Sequence, residues 1–188
     1  MFDFNNAKTQ RSRDLIPPDT VATLQLNIKP GDTGEGKWLK TSKGGASQGL
    51  DCEITVIDGE HAKRKFWQRF TVSGETDGQK QAAEISNQML RAILECARGI
   101  KPDDMSESAK AARQVAGWGD FDGLRFIGRI GVEPAKNGYA AKNTLLEVIT
   151  PERKNWRPVE QVAAQPNGAG RHAAAAPAAE IVRPEWAR

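Results

Sequence analysis

The amino-acid sequence predicts an α+β fold that is mainly β: an antiparallel barrel or sheet with one long packed helix, a second short helix and a disordered C-terminal tail. Three observations carry that expectation. Residues 21–28 and 50–57 alternate apolar and polar side chains, the period of half-buried strands. Residues 79–98 switch to the period of an amphipathic helix. Beyond residue 151 the composition shifts to Ala, Pro, Gln and Asn, which bury too little apolar surface to offset the entropy of ordering. The 188 residues therefore divide into an N-terminal extension (1–20), one domain (21–150) and a tail (151–188).

Pro17 and Pro18 form a lead-in turn, after which Ala22, Leu24, Leu26 and Ile28 mark the inward face of the first strand. Residues 31–49 hold six glycines around Lys37, Trp38, Lys40 and Lys43, a composition for a mobile loop or hairpin. Leu50, Cys52, Ile54 and Val56 face inward on the next strand, and Asp58-Gly59 turns the chain into a partner strand over 64–72. In that hairpin Thr55 is expected opposite Trp67, and Glu53 opposite Arg69. Ala82, Ile85, Met89, Ile93 and Ala97, widened by Leu90 and Leu94, form the predicted helix stripe, with Thr76 and Gln79 as a capping box and Gly99 as C-cap. A weaker helix is expected over 106–115, then a Gly-aromatic turn at 117–121. Leu124, Phe126, Ile130 and Val132 alternate with Arg125, Ile127 and Arg129 in the next strand. An Asn137-Gly138 turn leads to a last strand over 139–149.

Charge excludes little, because 27 basic and 24 acidic residues leave a net charge of +3, and affinity for a polyanion must come from clustering. Cys52 and Cys96 fit neither a disulfide framework nor a zinc site, which suits a reducing cytoplasm. No window reaches the ~20 apolar residues of a membrane span, and the first residues lack the apolar core of a signal peptide. A soluble intracellular protein with no membrane partner and no cofactor is expected. Gly31 to Lys37 matches the first seven positions of a phosphate-binding loop, but Trp38 stands where Ser or Thr must hold Mg²⁺, and no helix follows. His61, the acidic pairs Asp103-Asp104 and Asp120-Asp122, and both cysteines read as turn, cap or packing residues, so no catalytic or metal-binding residue is assigned.

The segment KRKFWQRFTV carries the most chemistry. As a strand it points Phe66, Phe70 and Val72 to the core, and Lys65, Trp67 and Arg69 outward. An exposed indole between cations suits single-stranded nucleic acid, since every base has a π-face and every nucleotide a phosphate. Lys63, Lys37, Trp38, Lys40 and Lys43 repeat the mixture nearby, and Arg125 and Arg129 add to it. Cross-strand ion pairs are the competing reading of the same cations.

The order of elements and several phrases resemble a bacteriophage and prophage family, usually labelled as of unknown function or as single-stranded DNA-binding. These phrases are Leu15-Ile16-Pro17-Pro18-Asp19-Thr20, Lys63-Arg64-Lys65-Phe66-Trp67, Leu94-Glu95-Cys96-Ala97-Arg98-Gly99, Gly123-Leu124-Arg125-Phe126 and Lys142-Asn143-Thr144-Leu145, within residues 1–150. The resemblance implies an OB-like sheet and a role in phage DNA replication or recombination in the bacterial cytoplasm. Single-stranded DNA or RNA would be the ligand, and the tail would reach a phage replication or recombination protein; oligomerisation stays open. The chain departs from the pattern in residues 117–122 and in a long tail without an acidic tip. The rival readings are a protein-interaction or virion-associated β-domain and, third, an enzyme.

Overall fold

The computed structural model describes residues 3, 5–6, 14–136 and 138–161. Among them, β1 (Thr20–Ile28), β2 (Lys40–Thr41), β3 (Ser47–Val56), β4 (Lys65–Gly74), β5 (Arg125–Glu133) and β6 (Lys142–Val148) form one antiparallel sheet. Its order is β2-β3-β1-β5-β6, with β4 on the other edge of β3. The helices α1 (Asp77–Arg98) and α2 (Glu107–Ala112) lie between β4 and β5 in the chain. The protein is thus mixed α+β and mainly β.

Alternation places the core as expected. Ala22, Leu24, Leu26 and Ile28 of β1 meet Leu50, Cys52, Ile54 and Val56 of β3, Phe66 and Phe70 of β4, and Phe126 and Ile130 of β5. The β3–β4 register differs from expectation by two residues: Thr55 faces Lys65, Glu53 faces Trp67 and Asp51 faces Arg69. The connection is the cause, because Val56 and Arg64 still bond (Val56 N–H to Arg64 carbonyl, 2.9 Å) and Lys63, at φ 68°, tightens the turn. A two-residue shift keeps every side chain on its predicted face. The Gly-rich segment is partly ordered into the sheet, with Lys40 opposite Gly49 and Thr41 opposite Gln48.

Helix α1 has both predicted caps: Thr76 and Gln79 form the capping box, and Gly99 closes the helix in the left-handed conformation. Its buried stripe is Ala83, Ser86, Leu90, Ile93, Leu94 and Cys96, rotated by about one residue from the expected one, and Ile85 is 54% exposed. The rotation follows from β4, whose Thr71 N–H donates to Ser86 Oγ at 3.0 Å, drawing a polar residue inward. In β5 the alternation also fails, since Ile127 is as buried as Phe126 and Ile130. A second layer covers that side: Ile127 N–H donates to Cys96 Sγ (3.1 Å), and Arg157 crosses the neighbouring Thr23 to reach Asp58 (2.6 Å).

The flanks join the domain further than composition suggests. Ile16 is buried, its backbone bonded in both directions to the side chain of buried Asn143 (2.9 and 2.8 Å). Past residue 151, Trp156 donates to the Cys96 carbonyl (3.4 Å), and Gln161 bonds both backbone groups of Arg125 (2.9 and 2.8 Å). The expected disordered tail otherwise lies outside the described residues, as does Asn137 of the expected last turn. The edges β4 and β6 approach at Gln68, whose Oε1 accepts from Thr144 Oγ1 at 2.9 Å. No helix among the described residues is long and apolar enough to cross a membrane.

Glu95 on α1 was not singled out by pattern, yet it is 3% exposed and accepts from Arg91 (2.8 Å) and Arg113 (2.7 Å). Arg113 also donates to the carbonyls of Lys101 and Asp104, so one carboxylate organises the α1–α2 connection. Glu95→Ala leaves two guanidinium groups without their anion. It should lower unfolding free energy by about 3 kcal/mol, since Arg91 can return to water; urea denaturation measures this, and a loss below 1 kcal/mol contradicts the assignment.

Candidate nucleic-acid interface

Period two delivers Lys65, Trp67 and Arg69 to the outer face of β4, and Trp67 is 63% exposed there. Next to it on β3 stand two carboxylates. Glu53 accepts from Lys65 (2.6 Å) and from Lys29 (3.0 Å). Asp51 accepts from Arg69 (2.7 Å) and pairs with Lys40 at 3.6 Å. Arg69 also reaches the Lys40 carbonyl (2.9 Å) by lying over Gly49, where a Cβ would stand 2.7 Å from the Phe70 carbonyl oxygen and 3.1 Å from Arg69 Nε. Lys29 is a site residue that strand reading missed. Its signal was available, because it continues the outward parity of Gln25 and Asn27 past the end of β1.

The indole of Trp67 lines a cleft of about 260 Å³ with Leu15, Arg64, Phe66, Lys142 and Asn143. Arg64 and Lys142 are further cations that sequence reasoning did not assign to the site. Arg64 donates to the Asp14 carbonyl, and Lys142 pairs with Glu133 at 3.0 Å. The cleft therefore has an aromatic wall, an apolar floor and a cationic rim.

Trp38 belongs to a different place. Its indole packs on Gly119, where a Cβ would sit 3.1 Å from Nε1, and with Trp118, Glu35 and Asp120 it lines a groove of about 500 Å³. Trp118 in turn stacks with Phe121 (centroids 6.4 Å apart). The two predicted stacking residues thus line separate clefts. Lys37 follows Gly36 with φ 54°, and the chain then enters β2, so the loop is not followed by a phosphate-binding helix. Lys37, Lys43 and Lys63 are exposed and make no ion pair among the described residues.

Arg125 lies on the same outward face as Lys65, through the register Arg125–Gln25–Thr55–Lys65, and Arg129 shares its parity on β5, but both are held by structural partners. Arg125 donates to Gln25 (3.0 Å), while Arg129 pairs with Glu147 (2.6 Å) and Asp19 (2.9 Å), which hold its pKa above the ordinary value. Asp120 and Asp122 accept backbone N–H groups of Ala116 and Ile28, both at 2.7 Å. Among the described residues no three His, Cys, Asp or Glu side chains gather as a metal site. Burial, helped by Asp51 and Asp122, pushes the Cys52 thiol up to about 12, far from a nucleophile's range.

Hydrogen bonds from Lys65 and then Lys29 hold the Glu53 carboxyl below its ordinary pKa. At Asp58 burial opposes ionisation, but bonds from Thr23 and Arg157 prevail and lower its pKa too. Both groups are depressed in the folded state, so their contribution is complete above the ordinary carboxylate range and lost as pH falls through the folded values. Thermal unfolding followed at decreasing pH should show the midpoint falling through that window. The fall should be shallower in Glu53→Gln, and equal slopes for the two proteins would contradict the assignment.

No protein-family model matches the chain, and no curated protein matches it.

Proposed function

We propose that the protein binds single-stranded nucleic acid on the outer face of β4 and β3, without catalysis and with little sequence preference. The observation that carries this reading is Trp67, 63% exposed on a rigid strand and bordered by Lys29, Lys40, Lys65 and Arg69. An indole held open on a sheet offers a stacking platform, and cations on both sides track a phosphate backbone. Part of the rim comes from Lys29, just past the end of β1, and from Lys40, on the short strand β2 within the Gly-rich segment.

An OB-like barrel is the fold in which we place this face. Support comes from the strand path β4-β3-β1-β5-β6, from α1 inserted between β4 and β5, and from the approach of β4 to β6 at Gln68. The phrases resembling phage and prophage single-stranded DNA-binding proteins add a setting in replication or recombination, in a bacterial cytoplasm. In this proposal the residues beyond 161 serve contact with a phage partner protein.

Two observations favour a protein-docking reading instead: Leu15 is 38% exposed beside Trp67, and carboxylates neutralise the central cations. Competition separates the two, because oligonucleotide displaces a nucleic-acid ligand and leaves a protein partner in place.

Fluorescence anisotropy with labelled oligo-dT at low salt should give saturable binding that weakens as salt rises, with a log–log slope of about −0.7 per phosphate contacted. Trp67→Ala should weaken it by about 1–3 kcal/mol, or roughly fivefold to 150-fold. The fold should survive this change, because the side chain is exposed. Absent binding, or binding indifferent to Trp67→Ala, rejects the proposal.

A further inference from the structure

Each carboxylate beside Trp67 is held by two cations from two different elements. Glu53 joins Lys65 of β4 to Lys29 past the end of β1, at 2.6 and 3.0 Å, and Asp51 joins Arg69 of β4 to Lys40 of β2, at 2.7 and 3.6 Å. Two donors converging on one anionic group are also how a protein grips a phosphate. Glu53 and Asp51 are two residues apart on one strand, so their backbones stand about 7 Å apart, and an extended polynucleotide spaces successive phosphates comparably. Trp67 stands in register with Glu53 and between Lys65 and Arg69.

We propose that Lys29 with Lys65, and Lys40 with Arg69, form two adjacent phosphate subsites in which Glu53 and Asp51 are built-in occupants, displaced from their cations when a single strand binds. The inference rests on the nucleic-acid reading above and adds how that face is regulated. Any polyanion must break four ion pairs and then lie beside two carboxylates, which lowers its affinity. A single strand recovers this cost by stacking an unpaired base on Trp67; a duplex, whose bases are already stacked, does not. The carboxylates thereby keep duplex binding weak, and the aromatic group restores binding to single strands alone.

The test uses the full chain, with oligo-dT and a duplex of equal length titrated at several salt concentrations. Glu53→Gln and Asp51→Asn should each tighten binding to both ligands by about twofold to tenfold, the size expected of partly exposed charge pairs. They should also steepen the salt dependence, as the freed cations meet phosphates. Trp67→Ala should weaken oligo-dT alone, and Lys29→Gln should reverse the gain of Glu53→Gln. Circular dichroism confirms that each variant is folded; should Glu53→Gln fail this check, Asp51→Asn, whose carboxylate is more exposed (33% against 13%), decides the matter. If the native protein binds oligo-dT but folded variants bind it no better, the inference is overturned and the nucleic-acid reading stands. If neither native protein nor variants bind at low salt, both fall together.

Discussion

Strand β3 meets two demands at once, and the rest of the structure depends on how it meets them. Its inward residues Leu50, Cys52, Ile54 and Val56 are almost wholly buried and tie β1 to β4 through one core. Its outward residues Asp51 and Glu53 sit in the middle of a cationic face and hold that face together. Because side chains alternate with period two, neither role can move without the other. A one-residue slip of β3 would place both carboxylates in the core and expose four apolar side chains.

Around this strand, polar groups rather than apolar area decide where the remaining elements attach. Ser86 satisfies the N–H of Thr71 and turns α1 onto β4. Asn143 binds the backbone of Ile16 and draws the N-terminal segment across β6, while Glu95 gathers Arg91 and Arg113 at the α1–α2 connection. Gln68 spans the approach of β4 to β6. A buried polar atom without a partner is costly, so such contacts admit fewer alternatives than a hydrophobic contact does. Among the described residues no buried side-chain nitrogen or oxygen lacks a partner.

The chemistry of the outer face combines these two features. Exposure of Trp67 would be a liability on a bare sheet, yet here charged side chains surround it, and the cleft beside it is bounded by Leu15 from the N-terminal segment. Asn143 positions that segment, so a core hydrogen bond shapes a surface cleft. Trp38, by contrast, is absorbed into packing with Gly119 and the 118–121 turn, and its groove is acidic at Glu35 and Asp120. The two tryptophans that look equivalent in composition thus have different surroundings.

What the sequence by itself determined was local. Period-two alternation assigned the inward and outward faces of β1, β3 and β4, including Trp67, and the Thr76, Gln79 and Gly99 caps bounded α1, because these signals act within a few residues. Tertiary structure alone decided the quantities that need a partner distant in the chain. The β3–β4 register came from how the 57–64 connection closes, the helix face from Ser86 meeting Thr71, and the double burial in β5 from residues 149–161 crossing it. The same distinction runs through the candidate site. Lys65, Trp67 and Arg69 were legible as one strand face, and parity or composition marked Lys29 and Lys40 one by one, whereas their meeting at Glu53 and Asp51 depends on the pairing of separate segments, which no local pattern encodes.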